Sequence, residues 1–187
     1  MIQARTFRIR GKTLLMHNGS MADPLNYWKK EKKKVTEKRS KTDADDLEID
    51  RLSWCGSLYL LDGKPCLPAR VIQATLVAGA RTLRLGKTLN AAVVVLEDVV
   101  LHFDNEEIWV DLRVAWESGK FSFRSLVRIG QNRVVSVRPY FENWSAEFAL
   151  EFDDSLLDEA QIREIVSLAG RGGVGDYRPV FGRFVVE

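Results

Sequence analysis

The stretch DEAQIREIVSLAGRGGVGDYRPVFGRFVVE, at residues 158–187, places a helical pattern, a glycine-rich loop and a strand pattern in that order. Ser155 and Asp158 are typical helix caps, and the spacing of apolar residues predicts a helix to Ala169. Its apolar face comprises Ile162, Ile165, Val166 and Ala169. The last strand is predicted at Val180–Val186. Because the glycines follow a helix and precede a strand, they do not form a Rossmann fingerprint, and they lack P-loop spacing.

The preceding sequence predicts the remaining elements of an α+β fold. Gln3–Leu15 alternates around Phe7 and Ile9 as a half-buried strand does, and Pro68 suits the first turn of a helix reaching about Leu85. Ala92–Phe103 is apolar enough to be a buried strand or a bent strand pair. Further strands are predicted at Glu107–Trp116, Phe121–Ile129, Arg133–Tyr140 and Trp144–Phe152. Without insertions, the order strand, helix, strand, strand, helix, strand predicts a ferredoxin-like (RRM-like) βαββαβ domain over residues 1–187.

Three segments extend this predicted core. Leu25–Ser57 is expected to be a helical insertion after the first strand, with two helices, the second opened by a capping box at Thr42 and Asp45. Leu58–Pro68 predicts a short hairpin turning at Asp62-Gly63. Phe121–Tyr140 predicts a β-hairpin extension around the turn at residues 130–132.

The charge of the chain is unevenly distributed. Its 28 basic and 26 acidic residues give a net charge of +2. Lys29–Lys41 holds eight basic and two acidic residues, a net +6, so the rest of the chain sums to −4. The sequence contains no apolar run of the roughly 18 residues that a membrane span needs, and MIQARTFRIR at residues 1–10 carries charges where a secretory segment would be apolar. We therefore expect a cytoplasmic protein that does not bind membranes.

The two cysteines, Cys55 and Cys66, fit neither a CxxC redox pair nor a zinc ligand set. We expect both to be buried as small apolar side chains, although a disulfide remains an alternative. No other metal or cofactor motif is present, so neither a metal nor a cofactor is expected.

The basic residues outside the lysine-rich segment are mostly arginines in predicted strands and in the glycine loop. Arg124 and Arg128 share one strand face, and Arg138 lies on the partner strand. The loop glycines would let the backbone approach a phosphate chain that the loop arginines bind. The loop residues in question are Arg171, Gly173, Gly175, Arg178 and Arg183, and Lys30 and Lys33 of the lysine-rich segment could attract a polyanion.

Each of these features also has a purely structural explanation. The glycines could form a helix cap and a tight connection to the next strand, and the arginines and lysines could lie on solvated faces. The division between strand arginines and helical lysines favours nucleic acid, because the guanidinium group suits phosphate contacts and base stacking.

Candidates for catalysis are few. His17 and Asp23 lie in the polar loop HNGSMADP, where an aspartate could act as a general base or bind a ribose hydroxyl. His102 lies in the apolar segment VVLHFD, where a core histidine is expected. Because no paired base, metal cluster or nucleophile motif accompanies these residues, enzymatic activity is the minority hypothesis.

Two segments resemble the RAMP superfamily. CLPARVIQATLVAGAR, at Cys66–Arg81, is similar to the segment that begins that family's first core helix. GGVGDYRPVFGRF, at Gly172–Phe184, is similar to its glycine-rich loop before the last strand. RAMP proteins include the backbone subunits of CRISPR effector complexes, which act in antiviral defence. The resemblance therefore implies an RRM-like fold that assembles along a guide RNA, with the insertion and the hairpin shaping the RNA path.

These observations lead to one expected function and two alternatives. We expect a protein that binds single-stranded RNA or DNA, self-associates or joins related subunits, and assembles along a guide or target strand. One alternative is an oligomeric structural protein of a virus or mobile element that does not bind nucleic acid. The other is a metal-independent ribonuclease using Asp23, the position that the resemblance matches to a cleaving aspartate, together with His17.

Overall fold

The structure, a computed structural model, describes residues 1–187 except for the side chain of Ile129. The helices are α1 (Tyr27–Thr36), α2 (Asp43–Ser57), α3 (Ala69–Thr82), α4 (Gly86–Ala92), α5 (Leu112–Glu117) and α6 (Glu159–Gly172), with 3-10 turns at Gly19–Ala22 and Glu106–Ile108. The strands are β1 (Ile2–Leu15), β2 (Leu60–Leu61), β3 (Lys64–Leu67), β4 (Val93–Val95), β5 (Val99–Val100), β6 (Ser122–Ile129), β7 (Asn132–Asp153) and β8 (Val185–Val186). The protein is therefore of mixed α+β class, as the sequence predicts.

The chain forms two compact units. The first contains Met1–Leu14, Leu60–Glu106 and Phe141–Glu187, and the second contains Leu15–Tyr59 and Glu107–Tyr140. The helical insertion lies within the second unit. That residues 1–187 form a single domain stays a prediction. No helix of the described chain is long and apolar enough to cross a membrane.

The sheet of the first unit has the strand order β4-β7-β1-β8. Val93 of β4 pairs antiparallel with Phe152, and Ile9 of β1 pairs antiparallel with Val186. The Asp154 amide donates to the Met1 carbonyl at 3.0 Å, and the rings of Phe7 and Phe148 stack at 5.8 Å. These contacts place β1 and β7 antiparallel, with the two residue numbers of each facing pair summing to 155.

Helices α3 and α6 pack on each other against one face of this sheet. Ile72 and Leu76 of α3 are buried, and the guanidinium of Arg163 on α6 lies 5.8 Å from the centre of the Phe7 ring. Gly79 lies where the helices meet: a Cβ there would be 2.7 Å from the Ala169 amide nitrogen. The close approach of the two helices therefore depends on the absence of a side chain at Gly79.

The segment after β4 is a bent continuation of that strand. His102 forms an isolated antiparallel bridge with Ser145 of β7. Between β4 and this bridge, Val99 and Val100 pair with Leu67 and Cys66 of β3, so β5 belongs to the small sheet β2-β3-β5. Of the two alternatives for Ala92–Phe103, the structure has two short strands. The predicted hairpin turning at Asp62-Gly63 is confirmed.

The second unit is built on the insertion and the hairpin. The Thr42 capping box is present, and α1 and α2 occupy the predicted insertion. Trp54 is fully buried and donates its indole N–H to the Phe121 carbonyl at 2.7 Å. The hairpin pairs Arg128 with Arg133 next to its turn.

Several sequence predictions are wrong. Glu107–Trp116 contains most of α5 and part of a 3-10 turn rather than a strand, because the Asp111 side chain caps a helix by accepting from the Val114 amide at 2.8 Å. Helix α4 was not predicted; it lies between the helix predicted to reach about Leu85 and the strand predicted from Ala92. The last strand is only Val185–Val186, and the two strands predicted at 133–152 are one strand.

Both cysteines are free and buried, as predicted. Burial raises the pKa of the Cys55 thiol to about 11, and burial likewise raises that of Cys66 to about 11.

Replacing Gly79 with Ala should lower the free energy of unfolding by about 1–3 kcal/mol, because the added methyl group forces α3 and α6 apart. Gly172→Ala is the matched control, since nothing lies within 4 Å of a Cβ built at that helical position. Urea unfolding followed by circular dichroism measures both. Equal stability of the two variants would contradict the packing account.

Glu159 should make stability depend on pH, because hydrogen bonds from Arg5 and then Arg163 lower its pKa from the ordinary 4.5 to about 2. A lowered carboxyl pKa stabilises the fold above the unfolded value, and the contribution is lost as pH falls from 4.5 toward 2. Glu159→Gln should therefore be less stable than the parent at pH 6 and equally stable near pH 2. Urea titrations at both pH values, with Glu164→Gln as an unpaired control on the same helix, test this.

Candidate nucleic-acid interface

One backbone hydrogen bond joins the glycine-rich loop to β1, and another closes the loop on itself. The Gly182 amide donates to the Thr13 carbonyl at 2.8 Å, and the Gly182 carbonyl accepts from the Val174 amide at 2.9 Å. Gly182 has a φ of +78°, and a Cβ there would collide with the Val174 backbone. Only glycine satisfies this turn, and its geometry places Arg183 beside the end of β1.

The face of the sheet opposite α3 and α6 can be described as rows of side chains across the strands. The pairing of β7, β1 and β8 places Glu147, Arg8 and Glu187 in one row. The next row contains His102, Ser145, Arg10 and Val185. The third contains Asn143, Lys12 and Arg183, and it also contains Asp104, whose carboxylate accepts from the Asn143 side chain at 2.6 Å. Lys12 and Arg183 are therefore cross-strand neighbours on this open face.

A cleft of about 1670 Å³ covers this open face. Its basic lining residues are Arg8, Arg10, Lys12, Arg171 and Arg183, and its acidic ones are Glu97, Asp98, Glu147 and Glu187. Most of the lining comes from β1, β7, β8 and the segment after β4, with Gly170 and Arg171 from the end of α6.

The cations of the cleft fall into two groups. Arg8 pairs with Glu147 at 3.2 Å and Arg10 with Glu187 at 3.0 Å, so these arginines are neutralised. Lys12, Arg171 and Arg183 make no side-chain hydrogen bond or ion pair with any described residue. Like charges directly opposite each other on a sheet are destabilising. The third row therefore holds an excess of positive charge that an anion would neutralise.

The predicted loop residues divide between the cleft and the loop itself. Arg171 and Arg183 line the cleft. Gly173 ends α6 with a φ of +82° and donates to the Ala169 carbonyl, and Gly175 also has a positive φ, +83°. The Arg178 guanidinium lies 3.5 Å from the Gly173 carbonyl oxygen. The loop glycines thus form the helix cap and tight connection that were the structural alternative to ligand binding. Two of the three loop arginines line the cleft.

The predicted hairpin arginines do not share one face. Arg124 and Arg128 lie on the same face of β6, where Arg124 forms an ion pair with the buried carboxylate of Asp50. Arg138 lies opposite Phe123 and therefore on the other face. Arg124 and Arg138 thus cannot contact one ligand from the same side of the hairpin.

The lysines of α1 differ in their environments. Lys30 is exposed, and Lys33 pairs with Glu37 at 3.4 Å. Burial lowers the pKa of the Lys32 ammonium, and the neighbouring charge of Arg138 lowers it further. The nearby carboxylate of Asp50 acts in the opposite direction on the same pKa, so part of the repulsion between Lys32 and Arg138 is offset.

The catalytic candidates form no recognisable catalytic group. Asp23 is exposed, and its carboxylate accepts from the Leu25 amide at 2.8 Å in a local turn. The His17 side chain is exposed, and its carbonyl accepts from the Tyr59 hydroxyl at 3.1 Å. Across the described side chains, no cluster of three or more His, Cys, Asp or Glu residues could hold a metal ion.

The prediction that His102 is a core histidine is wrong. Its side chain is 66% exposed, and Nδ1 lies 3.1 Å from a carboxylate oxygen of Glu106. The error follows from strand alternation: Leu101 and Phe103 point into the core, so His102 between them points out onto the open face.

Sequence reasoning also missed Lys12. Arg8, Arg10 and Lys12 alternate along the first strand, which was a usable signal that they share a face. The proximity of Lys12 to Arg183 could not be predicted, because it depends on the pairing of the two ends of the chain.

Comparison with models of known protein families and with curated proteins gives no match to this sequence.

Lys12→Gln should raise the free energy of unfolding by roughly 0.2–1 kcal/mol at low salt, because it removes one of two facing like charges. The gain should disappear at about 1 M salt, where the Debye length falls to about 3 Å. Lys64→Gln, at an exposed position outside the cleft, is the control for net charge. If the two variants respond identically at both salt concentrations, the facing charges do not repel as described.

Proposed function

We propose that the protein binds single-stranded nucleic acid, RNA in particular, with phosphates held by Lys12, Arg171 and Arg183 on the open face of the sheet. The observation that carries this proposal is the unneutralised charge of these three residues in a cleft whose other two arginines are paired. Phosphate groups supply the anions that such cations lack, and the arginines suit bidentate contacts.

The order of the helices and strands supports a ferredoxin-like core, a fold that suits this function. Leaving out the insertions, β1, α3, β4, the second half of β7, α6 and β8 follow one another along the chain, which is a βαββαβ order. The sheet order β4-β7-β1-β8 is the one expected when each crossover helix leaves room for one strand between the strands it joins. The open face of such a sheet is a common nucleic-acid surface.

The positions of the two RAMP-like segments support membership of that superfamily. Cys66–Arg81 covers the end of β3 and most of α3, and Gly172–Phe184 covers the connection from α6 to β8. The second segment supplies Arg183 to the cleft. The resemblance extends the proposal to a protein whose copies assemble along a guide or target strand in antiviral defence.

Binding of a labelled oligouridylate, measured by fluorescence anisotropy over a salt series, tests the function. Lys12→Gln, Arg171→Gln and Arg183→Gln should each weaken binding and reduce the slope of log K against log salt by about 0.7, because each removes one phosphate contact. Lys64→Gln should leave the slope unchanged. Absence of binding by the parent protein at ~50 mM salt, where electrostatic binding is strong, would contradict the proposal.

The lysine helix gives a second comparison within the same assay. Replacing Lys30 and Lys33 together with Gln should cost less affinity than replacing Arg171 and Arg183, because Lys33 already has an acidic partner. A larger loss from the lysine pair would place the main interface on α1 instead of the cleft.

A further inference from the structure

His102 occupies a position on the open face that the phosphate contacts do not use. Two backbone hydrogen bonds hold it against β7: its amide donates to the Ser145 carbonyl at 2.9 Å, and its carbonyl accepts from the Ser145 amide at 2.8 Å. The imidazole is held at one nitrogen by Glu106, while 66% of the side chain remains exposed. The ring is therefore anchored at a defined place and presented to the cleft that it lines.

The distance from His102 to Lys12 and Arg183 matches the distance between the phosphate and the base of one nucleotide. His102 is a neighbour of β7, and β7 is a neighbour of β1, which carries Lys12. Neighbouring strands lie about 4.8 Å apart, so the backbone at His102 is about 10 Å from β1, the strand that carries Lys12, measured across the sheet. A phosphate on Lys12 and Arg183 thus leaves room for its sugar and base to extend over Ser145 toward the imidazole.

Two other aromatic side chains line the cleft, but both are buried: Trp144 is 0% and Phe184 is 8% exposed. Among the described residues that line the cleft, His102 therefore carries the one exposed ring. Histidine rings are among the groups on which splayed bases of single strands stack. Such stacking tolerates any base, because every base has a π-face.

We propose that His102 is a stacking platform for the base of the nucleotide whose phosphate lies on Lys12 and Arg183. This inference rests on the proposed function and adds a base contact to it. It assigns the protein a ligand with both a phosphate and an aromatic base, as opposed to any polyanion. Glu106 serves to orient the ring.

The test uses the full chain and a single-stranded oligouridylate carrying one 2-aminopurine, whose fluorescence is quenched on stacking. The parent protein should quench the probe. His102→Ala should abolish the quenching and weaken binding about fivefold or more. His102→Phe should keep both, because it retains a ring without a charge, whereas His102→Lys should behave like the alanine variant.

Two results would overturn the inference while leaving the proposed function intact: salt-dependent binding that is unchanged in His102→Ala, or binding restored by His102→Lys and not by His102→Phe. The second would show that the side chain acts as a cation. If the parent protein fails to bind the oligonucleotide at all, the proposed function itself fails. Because the side chain is exposed, the variants should fold, and thermal unfolding by circular dichroism checks this.

Discussion

The hydrogen bond from the Gly182 amide to the Thr13 carbonyl is the contact on which the candidate site depends. It joins the glycine-rich loop near the C-terminus to the end of β1, and so places Arg183 opposite Lys12. The turn is possible because Gly182 adopts a positive φ close to the Val174 backbone. A glycine loop that is structurally a helix cap and a tight connection thereby places Arg183 beside Lys12.

On the open face, β1 carries paired and unpaired basic side chains within a few residues of each other. Arg8 and Arg10 are paired with Glu147 and Glu187, whereas Lys12 has no partner among the described residues. Net charge hides this arrangement, because the lysine-rich segment and the acidic start of α2 partly neutralise each other, as Lys38 does with Asp45. Position on the sheet, and not the total of +2, is what favours an anionic ligand.

The sequence predicted those features that depend on local patterns. The capping box at Thr42, the cap at Asp158, the Asp62-Gly63 hairpin and the apolar face of α6 follow from residue types at short spacing, and all are present. Ser155, the other predicted cap, instead donates to the Asp153 carboxylate. The strand predicted at Glu107–Trp116 failed because its apolar residues suit either type of element and the Asp111 cap decides for a helix. Lys12 and His102 were missed as site residues because their neighbours come from distant parts of the chain.

Ultraviolet cross-linking of the protein to a single-stranded RNA containing 4-thiouridine, followed by mass spectrometry of the peptides, tests the central claim most directly. If the open face of the sheet binds the strand, cross-links should concentrate in residues 8–13, 97–102, 143–147 and 171–183. Cross-links confined to the lysine helix at residues 27–36 or the hairpin at residues 122–140 would contradict the account.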